Sequence, residues 1–310
     1  MKKAVIDIGT NSVKLTLGEA AAEGGARMIC DMNVITKLGE GMRASGALSA
    51  EAMERTAQAV AKFAAFARAE GTDEILCVGT MALRRAGNAA DFSSRVRELC
   101  GLGVTVLPGE AEAELSSLAA IRSIGGADEG FVTIFDTGGG STEFVFLRDG
   151  ARLEALSVEA GAVTLTDEYF AKSPANPQTV CSVTASLIKK FAEAGVGREA
   201  GRVIGAGGNV TAMAAVAAGM AEYDRSKIHG SKLSKAEVMR QVALYAQSTA
   251  EERRAIPGLS PKRADIILGG ACIILAAMEA AKVDEITVSD RSLRHELLRR
   301  LCAGEGAPEA

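Results

Sequence analysis

Residues 131–150 read FVTIFDTGGGSTEFVFLRDG, and this stretch decides how the rest of the chain is interpreted. An apolar run ends at Asp136, three glycines follow, and a second apolar run begins at Phe144. Apolar runs bounded by glycine suit buried strands, and consecutive glycines let several backbone N–H groups approach one oxyanion. The stretch therefore predicts two strands joined by a tight loop. Taken alone, it fits a plain glycine-rich hairpin turn equally well, since glycine is a usual turn residue.

The same pattern occurs near the start of the chain, where residues 4–17 read AVIDIGTNSVKLTL. Apolar runs flank both loops in the same register, and the corresponding pairs are Asp7 and Asp136, Gly9 and Gly138, Ser12 and Ser141, and Lys14 and Glu143. Repetition at the scale of a domain indicates two related units. We therefore predict two lobes, each with one oxyanion-binding loop, that hold a phosphate from both sides.

The composition limits the class of protein. A chain of 310 residues suffices for two domains, and 48% apolar and 24% charged residues are ordinary for a globular protein. A net charge of −4 and a pI near 5.5 argue against a broad nucleic-acid-binding surface. The six cysteines contain no CxxC pair, which favours reduced thiols. Asp7 interrupts the first apolar stretch, and the longest apolar run, Ile266–Met278, is too short to cross a bilayer. We predict a cytoplasmic protein with no nucleic-acid or membrane partner.

The order of predicted elements gives the fold class. Residues before 125 read as three strands, then a helix, a strand, a helix, a strand and a helix, and the strands restart at residue 131. Two α/β lobes that each open with such a hairpin resemble the actin-like (ribonuclease-H-like) architecture of actin, Hsp70 and sugar kinases. We predict two actin-like lobes with an inter-lobe cleft, at residues 1–125 and 126–310. A hinge at Gly125–Gly126, a last helix at 291–302 in the second lobe and a frayed tail at 304–310 complete the prediction.

Residues 106–115, VLPGEAEAEL, place Glu110, Glu112 and Glu114 at the start of a predicted helix. Acidic residues stabilise a helix N-terminus through the helix dipole, so the pattern alone does not require a function. A functional role requires one carboxylate to face the cleft and to act as general base for a water molecule.

Seven segments occur in one order: IDIGTNSVKL, GTMALRRAGN, VLPGEAEAEL, IFDTGGGSTEF, GAVTLTDEYF, GAGGNVTAMAA and VSDRSLRHELL. Together, from about residue 3 to residue 300, they resemble the exopolyphosphatase/guanosine pentaphosphate phosphohydrolase family. The resemblance implies that Glu112 is the catalytic base, that Arg84 binds phosphate, and that Asp136 and Glu143 place Mg²⁺ (or another divalent cation) and water. It implies three phosphate-binding segments: Asp7, Gly9, Thr10, Asn11, Ser12 and Lys14; Gly138, Gly139, Gly140 and Ser141; and Gly207, Gly208 and Asn209.

Three positions depart from the family's pattern. Glu114 stands where the family usually has Arg, Asn209 stands in the usual GGT turn, and Ser292–Glu296 replaces the GLREG motif. Because both phosphate loops are intact, we expect these departures to affect substrate preference more than activity. Longer family members carry a helical region after the two lobes, and this sequence ends without one. We therefore expect distributive hydrolysis in which short polyphosphates are handled comparatively well.

These observations predict a metal-dependent exopolyphosphatase that releases the terminal phosphate of inorganic polyphosphate. Phosphoryl transfer to water depends on positioning and charge neutralisation, which the loops, Lys14, Arg84 and a hard divalent ion would supply. Guanosine pentaphosphate is the alternative substrate. A sugar-kinase-like ATP phosphotransferase lacks a recognisable acceptor site here, and the intact Glu112 argues against a non-catalytic polyphosphate sensor. A homodimer is one option for the assembly.

Other charged residues are predicted to lie at the surface. His229 and His295 are far apart in sequence, so solvated or capping roles are favoured over a shared metal site. Four basic residues, Arg253, Arg254, Lys262 and Arg263, are predicted to form either a solvated face or the wall of a polyanion channel.

Overall fold

A computed structural model describes residues 1–21, 25–125 and 129–305. The predicted hinge at Gly125–Gly126 and the predicted frayed tail at 304–310 lie partly outside these residues. The chain divides into two compact units. The first comprises Met1–Leu115 and the described residues from Leu293 onward, and the second comprises Ser116–Ser292. No helix of the described ranges is both long and apolar enough to cross a membrane.

The first unit is built on one mixed sheet. Its strands are β1 (Lys2–Ile8), β2 (Ser12–Ala20), β3 (Ala26–Ile35), β4 (Thr72–Gly79) and β5 (Thr105–Val106). Over the described residues their order is β3-β2-β1-β4-β5; β1, β2 and β3 pair antiparallel, and β4 and β5 continue parallel to β1. The helices that begin in this part of the chain are α1 (Met42–Ser45), α2 (Ala50–Ala69), α3 (Met81–Arg85), α4 (Ala89–Cys100) and α5 (Gly109–Ser123).

Helix α2 shows how local sequence sets the elements of this unit. The Ser49 hydroxyl accepts the N–H of Ala52 at 3.2 Å, which satisfies one of the free donors of the first turn. Val60, Ala64 and Ala67 recur at helical spacing and are fully buried in the core of the sheet. Both the N-cap and the buried face of α2 thus follow from its local sequence.

The second unit repeats and extends this plan. Its strands are β6 (Phe131–Thr137), β7 (Thr142–Arg148), β8 (Ala151–Val158), β9 (Arg202–Ala206), β10 (Lys232–Ser234) and β11 (Glu285–Ser289), in the order β10-β11-β9-β6-β7-β8 among the described residues. The helices are α6 (Ala162–Tyr169), α7 (Pro177–Glu193), α8 (Gly208–Ala217), α9 (Arg225–Ile228), α10 (Lys235–Gln247), α11 (Ala250–Arg254) and α12 (Ile267–Ala281). Helix α12 holds most of the longest apolar run of the sequence, and its side chains are buried almost throughout.

The internal repeat is confirmed at the level of strand register. Asp7 pairs with Lys14 across β1 and β2, and Asp136 pairs with Glu143 across β6 and β7. The turns also match, because the N–H of Gly9 donates to the carbonyl of Ser12 at 2.9 Å and the N–H of Gly138 donates to that of Ser141 at 2.9 Å. In each sheet the third strand pairs antiparallel with the second, and the neighbour on the other side of the first strand, β4 or β9, runs parallel to it.

The last helix, α13 (Leu293–Ala303), packs on β1 and β2 of the first sheet. Its leucines share an apolar cluster with Val5, Val78, Leu107 and Leu115; they are Leu293, Leu297, Leu298 and Leu301. Close packing continues at Gly18, where a Cβ would lie 2.9 Å from the side chain of Leu298. The sequence prediction put this helix in a second lobe of residues 126–310, and the structure differs because the helix covers apolar strand residues of the first sheet.

An ion pair accompanies this packing. Asp31 on β3 accepts hydrogen bonds from Arg294, with the shorter Nη2···Oδ2 contact at 3.0 Å. The two side chains are 11% and 10% exposed. His295 Nε2 lies 3.5 Å from the same carboxylate, and the side chain is 8% exposed, so the solvated role, one of the two roles predicted for His295, is wrong. The Ser292–Glu296 segment, which departs from the family's pattern, thus begins a helix that is tied to β3.

Candidate active site

The carboxyl ends of three parallel strands meet at one edge of the first sheet. Ile8 of β1 pairs with Gly79 of β4, and Gly79 pairs with Val106 of β5. A predicted site element follows each strand: the first loop follows β1, α3 with Arg84 follows β4, and α5 with Glu112 follows β5. The topology therefore brings together three segments that are far apart in sequence.

Residues behind the first loop fix its peptide groups. The N–H groups of Thr36 and Lys37 donate to the carbonyl of Asn11 at 3.0 Å, and the N–H of Gly39 donates to that of Thr10 at 2.9 Å. The C=O and N–H of a trans peptide point in opposite directions. The N–H groups of Asn11 and Ser12 therefore point away from residues 36–39, as a phosphate-binding loop requires. Asp7 and Lys14 also meet, with Lys14 Nζ 3.5 Å from Asp7 Oδ2.

Arg84 and Glu112 are in direct contact. Arg84 Nη1 donates to Glu112 Oε2 at 3.1 Å and to the carbonyl of Leu107 at 2.7 Å. Their side chains are 24% and 12% exposed, so the pair is largely shielded while the guanidinium stays reachable. The neighbouring acids have other surroundings, since Glu110 is exposed and Glu114 lies 3.8 Å from Arg300. An oxyanion bound by Arg84 would consequently lie beside the carboxylate of Glu112.

The second loop holds a buried carboxylate. Glu143 is 3% exposed, and its Oε1 atom accepts the hydroxyl of Ser141 at 2.6 Å and the hydroxyl of Ser157 at 2.8 Å. Asp136, Glu143 and Ser157 occupy directly opposed positions on β6, β7 and β8, so they lie on the same face of the sheet. Ser141 thus contacts a carboxylate as well as belonging to a predicted phosphate loop.

The predicted third glycine turn joins the second loop. Gly207 has a left-handed φ of 97°, and a Cβ there would lie 2.7 Å from Asp136 Oδ1, so glycine is required beside the carboxylate. Asn209 is buried, and its Nδ2 atom lies 3.5 Å from the carbonyl of Thr137. Because β9 runs parallel to β6, Asp136 and the turn Gly207–Asn209 end at the same edge of the second sheet.

The cluster of basic residues does not form one surface. Arg253 is only 2% exposed, and its guanidinium donates to the carbonyls of Tyr245 at 2.8 Å and Ala264 at 3.3 Å. Arg254 pairs with Glu251 at the surface. Arg263 lies so close to Gly208 that a side chain at position 208 would collide with its guanidinium, and burial lowers the pKa of Arg263. The predicted common solvated face or channel wall is therefore wrong.

Two carboxylates of the second unit, Asp136 and Glu143, lie on one face of its sheet. Among the described residues, no group of three or more His, Cys, Asp and Glu side chains could hold a metal ion. Asp136 and Glu143 are adjacent hard oxygen donors, and Mg²⁺ is commonly bound through one or two carboxylates while water and substrate phosphates complete its shell. The pair fits that kind of site, and metal binding stays a prediction.

Sequence analysis missed Ser157. The available signal was the two-residue period of the last part of β8, residues 154–158, which places Ser157 on the face that carries Glu143. The hydroxyl of Thr142, the residue that follows the second loop, donates to the carbonyl of Ala160 at 2.6 Å.

Two repeated α/β units, each opening with an antiparallel hairpin around a glycine-containing loop at the end of a strand of a mixed sheet, define an α/β protein of the actin-like fold class. The sequence matches the Ppx/GppA phosphatase family over residues 19–303. It is 31% identical to Exopolyphosphatase 2 of Mycobacterium tuberculosis over 306 residues, which covers 94% of this chain and 95% of the relative. It is 29% identical over 301 residues to the guanosine-5'-triphosphate,3'-diphosphate pyrophosphatase of Photobacterium profundum, and the match covers 95% of this chain and 58% of the relative.

A solved structure gives the same result. The Aquifex aeolicus member of the Ppx/GppA family superimposes with a TM-score of 0.82 at 31% identity, covering 99% of both chains. This chain therefore belongs to the Ppx/GppA phosphatase family. The predicted family, the actin-like α/β fold class and the prediction of a hydrolase acting on phosphoric anhydride bonds are confirmed.

Proposed function

We propose that this chain is a metal-dependent exopolyphosphatase that releases terminal phosphate from inorganic polyphosphate. The contact between Arg84 and Glu112 carries the proposal, because it sets a fixed cation beside the one acid that the family resemblance implies as a base. The match to Exopolyphosphatase 2 of Mycobacterium tuberculosis over nearly the full length of both chains supports this substrate class.

The chemistry follows from these groups. Arg84 and the N–H groups of the first loop would bind oxygens of the terminal phosphoryl group and neutralise its charge. Glu112 would orient a water molecule and accept its proton while the water oxygen attacks phosphorus. The bond from that phosphorus to the bridging oxygen breaks, and the shortened polyphosphate leaves with the bridging oxygen. Because the substrate phosphate competes for Arg84, its arrival would also loosen the Arg84–Glu112 pair and free the carboxylate to take the proton.

The second unit would supply further groups. Asp136 and Glu143 would hold Mg²⁺, which when bound neutralises charge on phosphate oxygens. The hydroxyls of Ser141 and Ser157 restrict the Glu143 carboxylate to one orientation.

Guanosine pentaphosphate hydrolysis is the second candidate. The pyrophosphatase of Photobacterium profundum supports this substrate, although the matched region is 58% of that protein.

One experiment separates these functions. Phosphate release with Mg²⁺ is measured side by side on long polyphosphate, tripolyphosphate, guanosine pentaphosphate and ATP, at equal concentrations of chain ends. We expect kcat/KM for the inorganic polyphosphates to exceed the other values by about tenfold or more, a difference of about 1.4 kcal/mol. A preference for guanosine pentaphosphate would select the second candidate, and a preference for ATP would overturn both. Light scattering on the same preparation tests the predicted homodimer.

A further inference from the structure

A short segment packs against the second phosphate loop. Residues 160–164 connect β8 to the first turn of α6. The carbonyl of Ala160 accepts the hydroxyl of Thr142 at 2.6 Å, which ties the segment to the residue directly after the loop. Gly161 lies against the backbone of Gly139 and Gly140, and a Cβ at position 161 would collide with backbone atoms of both. The neighbours are backbone atoms, so no change of rotamer could relieve the collision.

The first N–H groups of α6 hold the carbonyl oxygens of the loop. Ala162 N–H donates to the carbonyl of Gly138 at 3.1 Å. Val163 and Thr164 both donate to the carbonyl of Gly139, at 2.8 and 3.2 Å. These are donors that a helix N-terminus otherwise leaves without a partner in the helix.

The geometry of the peptide group gives these bonds a consequence. Because C=O and N–H of a trans peptide are antiparallel, fixing the carbonyls of Gly138 and Gly139 turns the N–H groups of Gly139 and Gly140 away from α6. Across the described ranges, neither of these two N–H groups donates to a backbone carbonyl. Two consecutive free N–H groups that point the same way form an anion-binding nest.

We infer that residues 160–164 form a positioning segment for the second phosphate loop, in which Gly161 is the positioning residue that sets the donor pair of Gly139 and Gly140. The inference rests on the proposed function, in which this loop binds phosphoryl oxygens. Gly161 does not touch substrate and acts through the two glycines.

The helix-capping rules separate this role from ordinary helix formation. Gly161 is the N-cap of α6 and makes no side-chain cap. Ser, Asp or Asn at an N-cap stabilises a helix more than glycine does. If position 161 served only to start α6, Gly161→Ser would be harmless or stabilising. With a positioning role, the added side chain displaces the loop, so helix stability and phosphate binding change in opposite directions.

The first loop offers an independent comparison within its own unit. Residues 36–39 also donate N–H groups to loop carbonyls, at Asn11 and Thr10. There, a Cβ at Gly39 would meet the side chain of Thr10, which can rotate. Substitution of Gly39 should accordingly be tolerated better than substitution of Gly161.

The test compares Gly161→Ala and Gly161→Ser with Gly125→Ala, a matched control because a Cβ at Gly125 meets nothing within 4 Å and its φ is not left-handed. Binding of inorganic phosphate is measured by titration calorimetry. Tripolyphosphate kinetics and thermal unfolding are recorded on the same preparations. We expect both Gly161 variants to raise the phosphate Kd and the KM by about tenfold or more, as loss of one hydrogen bond to a charged group implies. Gly125→Ala should match wild type.

A second pair of variants tests the same inference in case the Gly161 proteins fold poorly. Thr142→Val removes the hydroxyl that holds Ala160 and keeps the side-chain shape, whereas Thr142→Ser keeps the hydroxyl. We expect Thr142→Val to raise the phosphate Kd and Thr142→Ser to restore it. If the Gly161 variants fold and keep the wild-type phosphate Kd and KM, the inference is overturned. If they fail to fold, a wild-type phosphate Kd in Thr142→Val overturns it. Wild-type protein that binds phosphate but hydrolyses no phosphoric anhydride would refute the proposed function alone.

Discussion

Replacing Glu112 by glutamine should remove most turnover and leave substrate binding nearly intact. The amide keeps an oxygen that can accept the hydrogen bond from Arg84, now 3.1 Å long, but it cannot accept a proton from water. Loss of a positioned general base lowers kcat by about 10²–10⁴-fold. KM should stay equal or fall, because the ion pair no longer competes with substrate for the guanidinium of Arg84.

The structure also indicates how much Glu112→Gln should lower the free energy of unfolding. The Glu112 and Arg84 side chains are 12% and 24% exposed, and a partly shielded charged hydrogen bond contributes about 1–2 kcal/mol. Because glutamine keeps part of the contact, we expect a loss of about 1 kcal/mol, or a few degrees in Tm. A 100-fold loss of kcat in a protein that melts near the wild-type temperature would therefore be chemical in origin.

The assay is steady-state phosphate release from tripolyphosphate with saturating Mg²⁺, accompanied by a thermal melt. Two glutamates of the same helix serve as controls, since Glu110 is exposed and Glu114 lies beside Arg300. Glu110→Gln and Glu114→Gln should change kcat less than about threefold, far below the loss expected for a general base. If Glu112→Gln kept more than a tenth of wild-type kcat, Glu112 would not be the base.

Three further predictions concern the carboxylates proposed to bind a metal and the ion pair of α13. Asp136→Asn should raise the Mg²⁺ concentration needed for half-maximal activity, and excess chelator should abolish wild-type activity. Full wild-type activity in excess chelator would contradict the proposed metal dependence. Ser157→Ala should weaken Mn²⁺ binding, measured by electron paramagnetic resonance, by about tenfold, and Ser157→Thr should restore it. An unchanged Mn²⁺ affinity in the alanine variant would refute the role of Ser157 in orienting Glu143. Burial alone would raise the pKa of Asp31, but the nearby imidazole of His295 and the hydrogen-bonded charge of Arg294 outweigh it and hold that pKa well below its usual range. The pair therefore stabilises the fold fully above about pH 4 and less as the pH falls further. Below pH 4, the free energy of unfolding measured in urea should consequently fall more steeply with pH in wild type than in Asp31→Asn. Equal slopes in the two proteins would argue against a stabilising role of the Asp31–Arg294 pair.

The sequence predicted the parts of this molecule that local patterns control. The hairpins around the two phosphate loops follow from alternation, glycine and repetition, and their registers agree with the predicted correspondence of Asp7 with Asp136. The contact between Arg84 and Glu112 was not itself predicted. It depends on β4 and β5 ending side by side, which becomes apparent only once the strand order is known.

Other features depend on packing between distant segments, which local patterns do not encode. Arg253 reads as a surface residue, yet backbone carbonyls of Tyr245 and Ala264 satisfy its buried guanidinium. Gly161 reads as a simple stop before a helix, and only the proximity of Gly139 distinguishes it from other glycines. Helix α13 reads as an ordinary amphipathic helix, and nothing in its own residues states which sheet it covers.

The return of α13 to the first sheet has a consequence for how the protein is made. Synthesis runs from the N-terminus, so β1 and its phosphate loop leave the ribosome long before Leu293 and Leu297 exist. Until then, Val5 and Val78 lack the leucines that bury them, and the intervening unit, Ser116–Ser292, is complete in sequence while the first unit is not. The first unit is therefore the last to reach its native core. A truncation or a bulky fusion at the C-terminal end would act on β1, the strand that carries Asp7, at the opposite end of the sequence.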